Sequence, residues 1–389
     1  SSPVDQFLAR VPRAIFDAPI EQARIDPDNV EILVQHLKCA AFELPFARGD
    51  RFGDVPAESV TDALEYLRQN GTLHAVTPRA GETTYHWSAD AYPANNVSLR
   101  SVGWDNVVII DVALERTIGE LDWRATHTML HEQAIYQQDA EQYQVERLDL
   151  DNRKAYVRKV EPDYYTTALT HTKITVLEQA EEARLAVRAS TEVGAGLGDV
   201  SVIEKVVGYK KIKFHTHENV GYGDVHLPEM QMHTSGFWLT FAETWVTRQP
   251  EPRAVIVDAL RGLMRALHTV AAIGLMIDPR DLGHTLGDGH DEHGVPHKDP
   301  GRGPVFDPTI FLYDQVPGGV GLAPRLFDER ELLLGRADRL VRSCLCDDGC
   351  PACVGPIVGP TAASGELPAQ PRKQLVLALL DRLGATLPH

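Results

Sequence analysis

No apolar run approaches the roughly 18 residues of a membrane-spanning helix, which excludes a helical span. The first residues, Ser1-Ser2-Pro3-Val4-Asp5, lack the basic and apolar regions of a signal peptide and lack a starting Met. Cysteine is scarce. There are five, an odd number, and four lie between 344 and 353. That pattern excludes a secreted disulfide framework and implies a reducing, cytoplasmic compartment. Positive charge is in deficit: 38 Lys and Arg stand against 55 Asp and Glu, a net charge of −17. A chain of that charge is not a generic coat for phosphate, although a local basic groove remains open to it. No Gly-Lys dipeptide occurs, so there is no Walker loop. No dinucleotide glycine fingerprint, serine nucleophile elbow or His-Glu-x-x-His pair occurs either. The chain as it stands has no residues that would cradle a β,γ-phosphate, so no ATP hydrolysis is expected of it.

What is present divides into three regions, and the expected fold is α+β and multidomain. Residues 1–99 read as helices followed by a hairpin, a winged-helix-like domain. Asp26 and Pro27 suit the start of a helix in which Val30, Leu33, Val34, Leu37 and Ala41 recur at helical spacing. Cys39 reads there as a small core residue. A second helix spans about Glu58–Asn70, closed by Gly71. Thr72–Thr77 and Thr83–Ser88 then flank a tip that contains Arg79. Such a wing either touches DNA or packs against protein; both readings stand.

Residues 100–248 carry alternating β-branched and aromatic positions, as in Val107–Ile110, Tyr143–Val145 and Ala155–Val157. Short strands at regular spacing predict an antiparallel β-barrel-like domain. Two basic clusters stand out: Arg153, Lys154, Arg158 and Lys159, and the Gly208–Lys213 segment with Lys210, Lys211 and Lys213. They are the candidates for a track of phosphates, against the alternative of ordinary lysines on strand surfaces. Residues 249–389 return to helix, beginning with a long amphipathic segment after Pro252. Leu282–Pro304, with His284, His290, His293 and His297, has no apolar period and reads as a solvated loop. A strand over Thr309–Tyr313, one helix near Ala323–Ser343 and a tail helix near Gln370–Leu383 follow.

The strongest motif is Cys344-Leu345-Cys346-Asp347-Asp348-Gly349-Cys350-Pro351-Ala352-Cys353. Four thiolates this close in sequence can all reach one tetrahedral Zn²⁺, with Gly349 permitting the bend. Four protein ligands leave no open position, so the expected zinc is structural. An iron–sulfur cluster accepts the same ligand set and stands as an alternative. Arg336, Arg339 and Arg342, on the preceding helix, are candidates to offset the thiolate charge.

With that motif, the preceding run Tyr313-Asp314-Gln315-Val316-Pro317-Gly318-Gly319-Val320-Gly321 resembles the C-terminal region of MrfA-type superfamily-2 DNA helicases. Their RecQ4-like relatives belong to the same group. Softer matches run along the chain in the same order: Ile25–Asn29 to His36–Pro45, Tyr92–Ala94, Asp163–Thr166 and Gly208–Lys213. The resemblance implies a helical α/β zinc-binding C-terminal domain, with Tyr313, Asp314, Pro317, Gly318, Gly319 and Gly321 as its structural motif. It implies a part of an ATP-dependent 3′–5′ helicase of DNA repair that guides single-stranded or forked DNA and braces a RecA-like motor, in cis or in trans. ATP and Mg²⁺ would belong to that motor, which these residues do not include. The alternative is a zinc-stabilised scaffold for a protein partner, without DNA.

Overall fold

The structure is a computed structural model, and it describes residues 9–17, 29–79, 81–97, 106–185, 193–288, 307–355 and 371–384. After a short helix α1 (Arg13–Asp17), helix α2 (Val30–Glu43) begins at Asn29, whose side-chain oxygen accepts from the backbone N–H of Glu31 and Ile32. The expected cap at Asp26 and Pro27 lies outside the described residues. Helix α3 (Ala57–Gln69) packs on α2 through Val60, Ala63, Leu64 and Leu67. Strands β1 (Phe46–Ala47), β2 (Leu73–Val76) and β3 (Thr84–Trp87) form a small sheet in the order β1-β3-β2. Two helices closed by a hairpin around buried Tyr85 are the winged helix that the sequence implied.

A second sheet has five strands in the order β5-β4-β8-β7-β6. They are β4 (Asn106–Asp111), β5 (Arg116–Asp122), β6 (Ile135–Gln138), β7 (Glu141–Asp149) and β8 (Lys154–Val160). It encloses its own core around Val107, Ile109, Val145 and Val157, and helix α4 (Trp123–Met129) lies beside it. One pairing, β4 with β8, is parallel; the others are antiparallel.

The third sheet is built on strands that short-strand patterning did not suggest. Strands β9 (Tyr164–Arg184) and β10 (Val193–Lys213) have 21 residues each. The polar run Glu178–Arg184 hides β9 in the sequence, because this stretch is exposed and needs no apolar alternation. Strands β11 (Asn219–Asp224), β12 (Met230–Phe241), β13 (Leu282–Asp288) and β14 (Pro308–Asp314) complete a six-stranded sheet, ordered β11-β10-β12-β14-β13 with β9 on β10. The sheet is continuous across residue 248. Strand β14 is buried at every position, since Ile310 and Leu312 meet the helical core while Phe311 and Tyr313 meet a second core with Trp238 and Val202.

Helices α5 (Glu243–Thr247), α6 (Arg253–Leu275), α7 (Leu322–Asp328), α8 (Arg330–Ser343) and α9 (Arg372–Leu383) cover the sheet. Helix α6 presents Ala259, Leu260, Leu263 and Leu267 to the core and stops at Met276 in a left-handed conformation, φ 53°. Asp258 of α6 holds the buried Arg372 of α9 through its Nε at 2.8 Å and through Nη2. The single helix expected over Ala323–Ser343 is two, and the break falls at Glu329.

The solvated loop expected from Leu282 is corrected over its first part: Leu282–Asp288 is strand β13. Its apolar alternation is masked by glycines that exist for their neighbours. A Cβ on Gly283 would lie 2.2 Å from the Tyr313 ring, and one on Gly287 3.3 Å from the Phe311 ring. His284 therefore sits half-buried on this strand, its ring 4.2 Å from that of His268. Burial first, then His268 and Arg265, hold its imidazole down at about 4. His290, His293 and His297 lie outside the described residues.

Candidate metal centre and nucleic-acid surfaces

Helix α8 ends at Ser343, and the chain turns at once into the cysteine knuckle. Gly349 takes φ 124° there, and a Cβ would strike Val354 at 2.7 Å. The Sγ atoms of Cys344 and Cys346 are 3.5 Å apart, Cys344 and Cys350 3.6 Å, Cys346 and Cys353 3.5 Å, and Cys350 and Cys353 3.6 Å. All four lie within 4.8 Å of one another. Sulfurs about 2.3 Å from a tetrahedral zinc stand about 3.8 Å apart, so the set fits one ion. A disulfide needs its sulfurs at about 2.05 Å, and all five cysteines are free thiols. A multi-iron cluster spreads its cysteines over several metal atoms, which a knuckle this tight does not do. Among the described residues this is the one grouping of three or more His, Cys, Asp or Glu able to hold a metal.

The thiols respond to one another. The Cys346 backbone N–H, followed by bonds from the neighbouring thiols, brings Cys344 down to about 7. Burial first, then the other sulfurs, pushes Cys346 up to about 12, and burial raises Cys353. Four crowded thiols cannot all ionise alone, so binding a dication must release their protons. The backbone N–H of Cys350 already donates to Cys353 Sγ at 3.4 Å.

The cation beside the knuckle is one that the sequence did not single out. Lys373 donates from Nζ to the carbonyls of Cys344 and Cys346, at 2.6 Å each, and its N–H bonds to Asp348 O. Two of the three arginines expected in this role are engaged elsewhere: Arg342 bonds Asp338 at 2.9 Å and also Asp381, and Arg336 lies 3.7 Å from Glu329. Cys39 is half-buried on α2, far from the cluster in sequence, its thiol raised by burial.

The Tyr313–Gly321 motif works as a joint. The carboxylate of Asp314, fully buried, accepts from the N–H of Val320 (2.6 Å), Leu322 (3.1 Å) and Ala323 (3.0 Å), and so starts helix α7. Gly318, Gly319 and Gly321 all have positive φ. Asn29, at the head of α2, donates from Nδ2 to the carbonyls of Pro317 (3.0 Å) and Gly319 (2.8 Å). A Cβ on Gly318 would meet that amide at 2.7 Å. From the other side, Glu204 of β10 accepts from Tyr313 Oη and Gln315 Nε2 at 3.4 Å each, and pairs with Arg124 of α4 at 3.3 Å. Winged helix and zinc-bearing region thus meet on one short segment, to which helix α4 is linked through Glu204.

The basic candidates separate. Arg158 bonds Glu146 at 2.5 Å, and Lys159 pairs with Glu141. Arg153 occupies a turn with φ 52°, and Lys154 opens β8, both exposed. Next to them a cavity of about 670 Å³ is lined by Asp149, Asp151, Glu132, Asp224 and Arg147, an acidic surrounding that disfavours phosphate. Lys210, Lys211 and Lys213 lie on β10, with Lys211 over the Tyr164 ring at 5.3 Å. Arg79 is exposed near the wing tip. The outward positions of α3 include Glu58, Asp62 and Tyr66, so the helix that would enter a groove presents carboxylates. No described helix is long and apolar enough to cross a membrane.

Residues 263–354 match the family model of the MrfA Zn-binding domain, and residues 25–102 match the winged helix domain of the ATP-dependent helicase HRQ1. The chain is 40% identical over 387 residues to the uncharacterized ATP-dependent helicase YprA of Bacillus subtilis, covering 98% of this chain and 47% of that protein. It is 23% identical over 376 residues to the ATP-dependent helicase HRQ1 of Saccharomyces cerevisiae, 91% of this chain and 32% of that one. Among solved structures, the DUF1998 helicase MrfA bound to DNA matches with TM-score 0.53 and 38% identity, over 98% of this chain and 46% of that one. A second crystal structure of MrfA matches with TM-score 0.57 and 33% identity, over 97% and 48%. The chain spans less than half the length of each.

Proposed function

Because the chain is an MrfA-type helicase region, matching that group from winged helix to zinc-binding domain, we propose that it is the DNA-guiding and motor-bracing part of an ATP-dependent 3′–5′ helicase of DNA repair. The observation that carries this reading is the end-to-end match with under half of a helicase solved on DNA. ATP and Mg²⁺ are the business of a RecA-like motor, acting in cis or in trans. Single-stranded or forked DNA is the partner of Lys210, Lys211 and Lys213. Arg79, Arg153, Lys154, Arg158 and Lys159 are weaker candidates, the last two sharing their charge with Glu146 and Glu141. Zinc, held by Cys344, Cys346, Cys350 and Cys353, shapes the turn between α8 and α9 and takes no chemical step, since four protein ligands close its sphere.

The acidic outward face of α3 favours a second role for the winged helix, as a packing module rather than a reader of bases. Its Asn29 joint to Pro317 and Gly319 supports the same view. The test is unwinding of a 3′-tailed duplex by a motor-bearing protein with and without this region. Stimulation by the region is the expected result. Equal unwinding without it contradicts the guiding role, and a preference for 5′ tails contradicts the polarity.

A further inference from the structure

The outer end of the β9–β10–β11 ribbon has two unlike faces. Across β10, Tyr209 pairs with Ala168 and Gly223, Lys210 with Thr167 and Tyr222, Lys211 with Thr166 and Gly221, and Ile212 with Tyr165. Directly opposed residues share a face. One face therefore carries Tyr209, Lys211 and Lys213. It is occupied: Tyr209 is buried, stacks on His131 at 4.9 Å and lies over Gly223, where a Cβ would stand 2.3 Å from its ring. Thr166 Oγ1 on the same face accepts from the Ile135 N–H at 2.8 Å, fastening the ribbon to the five-stranded sheet.

The opposite face carries Lys210, Ile212, Tyr165, Thr167 and Tyr222, and the Phe214 ring meets Tyr165 at 5.6 Å. Tyr222 is 68% exposed. None of these side chains belongs to a buried core among the described residues. The stretch Lys205–Lys213 holds four lysines and no carboxylate, in a chain of net charge −17, and Lys205 pairs with Glu229 at 3.3 Å. Asp224, on the Tyr222 side, bounds the inner end.

We propose that this Lys210–Tyr222 face is a stacking platform for single-stranded nucleic acid. Unpaired bases lie on Tyr222 and on the Tyr165–Phe214 pair, and Lys210 meets the phosphate chain between them. A flat aromatic sheet surface takes bases whose faces are open, which a duplex does not offer, and lysine beside it supplies the counter-charge. The proposal rests on the DNA reading above and adds to it a site, its residues and its strand preference. It also assigns Lys211 a different role from Lys210, since its ammonium is held over Tyr164 on the occupied face.

The test uses the full chain, a labelled oligothymidylate and the same strand in a duplex, with affinity followed over a salt series. Tyr222→Ala should weaken single-strand binding roughly tenfold or more and leave the salt slope unchanged, because a stacking surface and no cation is removed. Tyr222→Phe should bind like the parent. Lys210→Gln should lower the salt slope by about 0.7. Tyr222 is exposed, so the melting temperature of these variants serves as the folding control. If Lys210→Gln weakens binding while Tyr222→Ala binds like the parent, or loses duplex and single strand equally, the platform is wrong and the DNA reading stands. If the parent binds neither nucleic acid, both fall.

Discussion

At the scale of single residues, the knuckle makes the firmest demands. Cys350→Ser removes one of four ligands from a set whose sulfurs are 3.5–3.6 Å apart along the bonded edges. Zinc and local stability should be lost together, because binding free energy of about 10–16 kcal/mol at such sites is folding free energy. Metal analysis and limited proteolysis check this: a zinc-free variant with parental melting would show that the ion is not structural. Lys373 is the supporting residue. Lys373→Met leaves the thiols in place but frees the two carbonyls that it holds, and zinc affinity should fall about 10- to 100-fold, as for other outer-layer partners. A chelator competition measures it. Acid sensitivity belongs to the histidines. Burial first holds His127 and His131 below the 6.5 of a free imidazole. The folded state keeps them neutral and the unfolded state takes the proton more readily. Their contribution is complete above pH 6.5 and is lost as pH falls below it, at up to about 1.4 kcal/mol per pH unit for each group. Melting at pH 7.5 and 5.5 should show a loss that shrinks in His131→Phe; an unchanged difference would contradict the assignment.

At the scale of elements, the fold depends on close approaches. Gly283→Ala drives a methyl into the Tyr313 ring and should cost about 1–3 kcal/mol, read as a fall in the denaturant midpoint with unchanged slope. Asn29→Ala leaves the Pro317 and Gly319 carbonyls without their donor, an effect of about 1–3 kcal/mol on the joint. Hydrogen exchange should rise in α2 and around Gly318 together; a rise in α2 alone would contradict the joint. These features also mark where the sequence was legible. The winged helix was, because Val60, Leu64 and Leu67 recur on one helical face and the hairpin has a turn-rich tip. The knuckle was, because four ligands sit in one local run. Strand β13 was not, since Gly283 and Gly287 are there to make room for rings from β14, a relation invisible without the pairing. The full length of β9 and the role of Lys373 were hidden for the same reason: an exposed polar strand and a distant cation carry no local pattern. The glycines of Pro317–Gly321 were visible, but their partner Asn29, 288 residues earlier than Pro317, was not.

At the scale of the molecule, a chain of net charge −17 is expected to bind DNA only where its charge is locally reversed. The Lys210–Lys213 stretch is such a place, while Lys205 pairs with Glu229 and the Arg153–Lys159 segment is flanked by the carboxylates of Glu141, Glu146, Asp149 and Asp151. The sequence contains no Walker loop, and the purified chain is expected to release no phosphate from ATP, with or without DNA. DNA-stimulated release would contradict the assignment of ATP to a separate motor. The central claim is that this region contacts single-stranded DNA through the β10 lysines while zinc only shapes the fold. Anisotropy of a labelled 3′-tailed fork against salt, for the parent and for Lys210→Glu with Lys211→Glu, tests it most directly. The expected result is measurable parental binding that weakens steeply with salt, and a double variant with reduced affinity and a slope shallower by about 0.7, the single-strand phosphate contact of Lys210, since Lys211 is held over Tyr164. Superimposable curves for parent and variant, or a parent that does not bind the fork, would contradict it.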